Sequence, residues 1–470
     1  MRSSASASSP ATSALVERER SGTRIRASPS TEAMDLDDRK KSTSEASATP
    51  FPLLMLLLAL ASAFVLIGMN SSVHKPHPYN LASLLLWKNA SVRPPVMLVL
   101  VVAGWAWVVR SCRQRGMHIA LVLGGKLQPA ASTYQAALTL LNMVLACRLL
   151  HLFIAEEAEH PRAARPWLSC NLALLVCIVV LGALPLRTFY ADSRFSLLRT
   201  LVESVVAPCA PVTFWHVIVA DYLTSLAKTM SDLHLTACIS GELMRGAQGD
   251  AELVRTSELW NLHYQTCNRS PVNAVMLALP FWWRLMQCLK VYSVTREQKN
   301  LWNALKYSTA FPLVYAGYLR KHDSSGAYDV LFVLAAVVQS SFTFVWDVLM
   351  DWGLPRRDSA APCGVGMREV LLVTPRKSSY LLLCAFNLVL RFVWTLSFLN
   401  WVPGRGGGMF FLELAEVARR TVWAVFRIEW EMVAKGHTRT LAAGSDDDLE
   451  SEEMQLLGGG GGELRSAIDD

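Results

Sequence analysis

Asp347 and Asp351 lie four residues apart in FVWDVLMDWGL (residues 344–354), at the end of an apolar run that begins near Val330. Acids at mid-membrane cost about 2.5–3.5 kcal/mol each, so such residues face a bundle interior or a water-filled cavity. Polar stripes of this kind recur through the second half of the chain. One carries Asp221, Ser225, Lys228 and Asp232, and another carries Ser340, Thr343, Asp347 and Asp351. Asn387, Arg391 and Trp394 make a third. Glu413, Glu416, Arg420, Trp423 and Arg427 make a fourth, with Arg419 adjacent, and Arg284, Gln287, Asn303 and Lys306 join the set. Intervals of three, four, seven and eleven residues return to one face of a helix, so each stripe lines one side of its own helix.

Helices that each present a polar stripe enclose one polar cavity most simply. Arg284, Lys306, Arg391, Arg419 and Arg420 give that cavity a cationic floor, and arginine suits bidentate contact with an oxyanion. Phosphate or sulfate fits this chemistry. A phosphate that keeps a proton can also donate to a carboxylate such as Asp221 or Asp347, which sulfate near neutral pH cannot. The plain alternative, for any single residue, is an ion pair that locks two helices together. Lys228, Asp232 and Arg427 read as residues of a solvated interface, and Trp282, Trp283, Trp352 and Trp401 as members of an aromatic belt.

The elements that position these residues are apolar helices. The 470-residue chain is 52% hydrophobic and 18% charged, the balance of an integral membrane protein rather than of soluble domains. Candidate spans cover residues 52–69, 95–111, 133–154, 167–186, 211–240, 272–291, 301–319, 329–350, 378–400 and 409–428, about ten in all, each near the 20 residues that a bilayer requires. Loops after the even-numbered spans hold the larger share of Lys and Arg, for example Arg110, Arg113, Arg115 and Lys126, which puts both termini in the cytoplasm. The sequons at Asn70 and Asn89 then fall in the first luminal loop. A net charge of +7 belongs to those loops, and no nucleic-acid partner is expected. The ten cysteines form no CxxC pair, so neither a zinc site nor a disulfide framework is indicated. No GxxxxGK, HExxH or GxSxG occurs, which removes the P-loop and the commonest hydrolase signatures. The chain is read as neither an enzyme nor a holder of cofactors or metals.

The motifs DYLTSL (221–226), PFWWRLMQCLK (280–290), NALKYS (303–308), WDVLMDWGL (346–354), NLVLRFVW (387–394) and EVARRTVWAVFRIEWE (416–431) resemble the EXS domain, in that family's order and over about 210 residues. The resemblance implies an all-α membrane protein whose last six helices form an EXS-type bundle for inorganic phosphate, with dimerisation common. Phosphate-contacting positions carry over to Asp221, Arg284, Lys306, Asp347, Arg391, Arg419 and Arg420. Trp394 matches a gating tryptophan, with Asp351 and Glu416 supporting the arginines. Tyr222 departs from the family, which often has Gln there. Larger members carry an amino-terminal sensor domain for inositol pyrophosphates, and the fifty residues before the first span are not expected to form one.

The resulting organisation is a disordered tail (1–50), a four-helix membrane region (51–200), an EXS domain (201–431) and an acidic, glycine-rich tail (432–470). Glu452, Leu456 and Leu457 fit an acidic di-leucine sorting signal in that last segment. The expected partners are inorganic phosphate, membrane lipid and a second copy of the chain. The expected role is phosphate recovery from the Golgi lumen, with the plasma membrane as the alternative location. A trafficking factor that retains glycosylation enzymes is the alternative function.

Overall fold

Breaks in the helices, more than the helices themselves, set the positions of the polar residues. The computed structural model describes residues 57–62, 90–123, 130–157, 174–180, 191–207, 209–246, 256–323, 326–357, 365–398 and 407–436, all within the unit Pro52–Asp470. Both predicted tails, apart from the end of the last helix, fall outside those residues, as do Asn70, Asn89, Trp401 and the di-leucine pattern. We label the helices α1 (Arg93–Arg113), α2 (Ile119–Leu123), α3 (Ala130–Glu157), α4 (Ala191–Val205), α5 (Phe214–Ser225), α6 (Ala227–Gly246) and α7 (Thr256–Arg269). They continue as α8 (Pro271–Thr295), α9 (Gln298–Ser308), α10 (Ala310–His322), α11 (Asp329–Trp346), α12 (Lys377–Arg391), α13 (Trp394–Phe398) and α14 (Gly407–Ala434). A π-helical turn, Asp347–Asp351, prolongs α11, and a small antiparallel hairpin joins β1 (Pro355–Arg357) to β2 (Val365–Met367).

Among the described residues, three stretches are long and apolar enough to cross a membrane: Arg93–Arg113, Asp329–Asp351 and Lys377–Leu396. They coincide with the predicted second, eighth and ninth spans. The predicted fifth span is two helices, because Leu226 interrupts α5 and α6, and the seventh is α9 and α10, divided at Thr309. Local sequence explains several ends. Pro271 starts α8 at a position where its missing N–H is no loss, and the Ser270 hydroxyl accepts from Val272 N at 3.3 Å. At the start of α5 the backbone N–H of Thr213 donates to Nδ1 of His216 at 3.2 Å.

The largest core joins the end of α1 to α14 through Val108, Val109, Cys112, Trp423, Ala424 and Ile428, and closes over Trp352, Leu354 and Tyr380. Trp352 is therefore a buried core residue and not part of an aromatic belt, whereas Trp282 is 48% exposed. Gly353 has φ +53°, and a Cβ there would meet the Trp430 ring at 2.4 Å. This position requires glycine because the chain must turn left-handed against an indole. Beyond it Glu429 gathers the connecting segment: Oε1 accepts from Leu372 N (2.5 Å), Val373 N (3.1 Å) and the Tyr380 hydroxyl (2.6 Å). Arg368 pairs with its Oε2 at 2.7 Å.

One disulfide, Cys238–Cys267, ties α6 to α7, which corrects the expectation of none. Its two cysteines come from different helices 29 residues apart, and only the packing of those helices brings them together.

Candidate anion-binding site

The site forms where four of the breaks converge. Asp221 and Ser225 occupy the last turn of α5, just before Leu226. Lys306 lies in the last turn of α9, Asp347 begins the π-helical turn, and Arg391 ends α12. Arg419 and Arg420 come from the middle of the unbroken α14, and Arg284 from the middle of α8. Interrupted helices are a recurring way to aim side chains and helix ends at a buried ion site.

Each carboxylate holds its cations with one oxygen or one edge. Asp221 Oδ1 accepts from Arg284 Nε at 2.9 Å and from the Tyr307 hydroxyl at 2.5 Å. Asp347 Oδ2 accepts from Arg391 Nη2 (2.7 Å), Arg391 Nε (3.2 Å) and Asn387 Nδ2 (2.9 Å), with Arg419 Nη1 at 3.6 Å. Glu416 takes both forks of Arg419, at 2.6 and 2.8 Å, and also accepts from the Ser225 hydroxyl at 2.6 Å. Burying a charge without a partner costs several kcal/mol, so these pairings explain how three acids and three arginines coexist out of water.

Two cations are left over. Lys306 is 5% exposed, and its Nζ lies over the rings of Tyr307 (4.2 Å) and Trp346 (5.1 Å). Its Nζ has no hydrogen bond or ion pair among the described residues. Arg420 is 6% exposed, donates to Ser225 Oγ (2.8 Å) and Thr224 Oγ1 (3.4 Å), and has no carboxylate within ion-pair distance among the described residues. Both line a cavity of about 30 Å³ together with Asp347, Arg391 and Tyr307. The seven sequence-predicted ligands are thus brought into one linked network, four of them on the cavity wall and three behind it.

The supporting residues divide. Glu416 holds Arg419 through both of its oxygens. Trp394 packs edge-on against Phe332 at 6.3 Å and donates to Ser340 Oγ at 3.1 Å. Asp351 turns away from the cavity arginines: it accepts from Trp423 Nε1 at 3.3 Å and lies 3.7 Å from Arg427. Tyr222 points into the core beside Trp105, ring centroids 6.2 Å apart, so the departure from the family's Gln does not touch the cavity.

Asp232 corrects the reading of a solvated interface. It is 0% exposed and takes Arg93 through two contacts, 2.6 and 2.9 Å, and Lys228 as a further partner. Arg93 also lies 3.5 Å from Glu413. Arg93 sits at a polar-to-apolar boundary and reads as a loop charge in the sequence. Tyr307 was also missed, although it adjoins Lys306 in NALKYS.

Residues 90–433 match the EXS family. The chain is 31% identical over 332 residues to "Solute carrier family 53 member 1" of Homo sapiens, covering 67% of this chain and 46% of that protein. It is 34% identical over 290 residues to "Xenotropic and polytropic retrovirus receptor 1 homolog" of Xenopus laevis, covering 58% and 40% respectively. It is 29% identical over 276 residues to "SPX and EXS domain-containing protein 1" of Dictyostelium discoideum, covering 56% and 28%. The chain therefore spans less than half the length of these relatives. With most of its length inside the family match, the chain belongs to the EXS family.

Proposed function

We propose that this protein is a multi-spanning membrane transporter that carries inorganic phosphate through the bundle built by α5 to α14. The observation that carries the reading is the pair Lys306 and Arg420: two buried cations, neither in an ion pair with a carboxylate among the described residues, on the wall of one cavity. A buried cation without a counter-ion is costly, and a bound anion removes that cost. The paired arginines around them keep the site from holding the anion too tightly, as a conducting site must also release.

Ten spans with both termini in the cytoplasm remain the proposed topology. The loop-charge bias supports it, and so does the disulfide. In that arrangement Cys238 and Cys267 flank a loop on the non-cytoplasmic side, where disulfides persist. Recovery of phosphate from the Golgi lumen is the proposed setting, resting on the family resemblance alone; co-localisation with Golgi-membrane markers tests it.

The decisive experiment is efflux of labelled phosphate from liposomes containing the purified protein, beside Lys306→Met and Arg391→Ala. Flux should fall about tenfold or more in each variant while the protein stays folded, since each removes a charge-assisted contact of roughly 1.5–3 kcal/mol. Unchanged flux in both variants refutes the site. No flux from folded wild-type protein refutes transport and returns the reading to a retention factor.

A further inference from the structure

One imidazole at the start of α5 serves two helices. Thr213 and His216 form a capping box, in which histidine holds the position that Glu or Gln usually takes. His216 Nδ1 accepts from the Thr213 backbone N–H at 3.2 Å and lies 2.7 Å from the Thr213 hydroxyl. A backbone N–H can only donate, so Nδ1 carries no proton and Nε2 carries the one proton of the neutral ring. Nε2 lies 2.8 Å from Glu203 of α4 and donates to it. A second proton, on Nδ1, would face the Thr213 N–H donor to donor while adding charge to the bond with Glu203. The ring then holds α4 more firmly and α5 less.

The surroundings of the ring carry the effect inward. His216 is 6% exposed, and Glu203 is the one acid within ion-pair distance of it among the described residues. Arg199 shares that carboxylate at 2.7 Å. From α14, Arg427 stands over the neighbouring Phe214 ring at 4.7 Å and is paired with Glu431. The short α2 has no titratable side chain. From α8, Gln287 Nε2 donates to the His216 carbonyl at 3.4 Å, and Gln287 Oε1 accepts from Arg284 Nη1 at 3.3 Å. Arg284 in turn holds Asp221 at 2.9 Å. Three consecutive hydrogen bonds therefore join the first turn of α5 to the candidate site.

We propose that His216 is a proton-sensitive positioning residue. Neutral, it caps α5 and holds the first turn against Gln287; protonated, it releases the cap, and Arg284 and Asp221 lose that support. Acid on the cytoplasmic side, where the proposed topology puts the α4–α5 connection, then slows transport. The effect on flux rests on the proposed function, whereas the release of the cap does not.

The test pairs two measurements on the purified full-length protein at about pH 5.5 and about pH 7.5, which bracket much of the range where histidine changes charge. Hydrogen exchange of residues 213–220, corrected for the intrinsic effect of pH, should be roughly fivefold faster at the lower pH, the equivalent of one lost helix cap. Efflux of labelled phosphate from liposomes, at one pH on both faces, should fall by a similar factor relative to His216→Gln. Glutamine keeps an acceptor for the Thr213 N–H and takes up no proton, so His216→Gln should stay protected at both pH values. Comparing the two proteins at each pH also cancels the changing charge of phosphate itself. Glu203→Gln keeps an acceptor for Nε2–H but not the charge that favours the protonated ring, so the opening should move to lower pH. Equal protection of the wild type at both pH values, or the same acid opening in His216→Gln, overturns the inference. Cap release with no loss of flux relative to His216→Gln overturns the positioning role. No flux from the wild type at either pH overturns the proposed function, and hydrogen exchange then decides the cap alone. Where His216→Gln fails to fold, Glu203→Gln decides, and an opening that does not shift overturns the inference.

Discussion

The triad of Arg93, Asp232 and Glu413 lies outside the cavity, so it can be perturbed without removing a residue of the candidate site. Arg93 and Asp232 meet through two contacts at 2.6 and 2.9 Å, and Glu413 lies 3.5 Å from the same guanidinium. The three side chains are 3%, 0% and 5% exposed, and Lys228 is a second partner of Asp232 only. Among the described residues, Arg93→Met therefore leaves Asp232 with one cation, Lys228, and Glu413 with a single neutral donor, the Thr229 hydroxyl at 3.2 Å. Removing one partner of a buried ion pair costs roughly 3–5 kcal/mol, mostly through the charge left behind. Glu413→Gln added to Arg93→Met removes that stranded charge and keeps the Lys228–Asp232 pair. The double variant should then be more stable than Arg93→Met alone, by more than the roughly 0.5 kcal/mol scatter of independent sites. Reversible unfolding of the four proteins of this cycle in detergent micelles measures the difference. A double variant as unstable as the sum of the single ones refutes the idea that Glu413 depends on Arg93.

Two further outcomes follow from single contacts. Tyr307→Phe removes the hydroxyl that donates to Asp221 at 2.5 Å but keeps the ring beneath Lys306. Phosphate flux should fall roughly tenfold with little change in stability, because a hydrogen bond to a charged group contributes about 1.5–3 kcal/mol; flux equal to wild type would separate Tyr307 from the path. Lys321, at the loop end of α10 beyond the predicted span, has its pKa lowered from 10.5 to about 8 by burial, with Lys228 adding to the effect. Its folded form holds the proton less tightly than the unfolded chain, so stability should rise between about pH 8 and pH 10.5, by at most about 1.4 kcal/mol per unit. Lys321→Met should flatten that slope in a pH series of unfolding, and an unchanged slope would remove Lys321 as its source.

The clustering of the candidate residues was legible because their spacing survives in the helices that hold them. Asn387 and Arg391 share one turn of α12, and Glu416, Arg419 and Arg420 share one face of α14. The same rule misled wherever a helix departs from a regular α-helix. Asp351 follows Asp347 by four residues, but the intervening turn is π-helical, with Trp352 N bonded to Asp347 O at 2.9 Å, and Asp351 meets Trp423 and Arg427 instead. Asp232 follows Asp221 by eleven residues, yet the break at Leu226 stands between them and Asp232 belongs to a different cluster. Arg93 and the disulfide depend on tertiary packing between distant segments, for which helical periodicity carries no signal.

The interruptions at Leu226, Thr309, Asp347–Asp351 and Phe392 have a mechanical consequence. A continuous helix is a lever: tilting one end displaces the other. A helix divided at its midpoint is two short levers meeting at a joint, and here Asp221, Lys306, Asp347 and Arg391 sit at or within a turn or so of the joints. Either outer arm can swing while the residues at the pivot barely move. α8 and α14 run unbroken through the site, so Arg284, Arg419 and Arg420 stand on fixed posts beside the jointed helices.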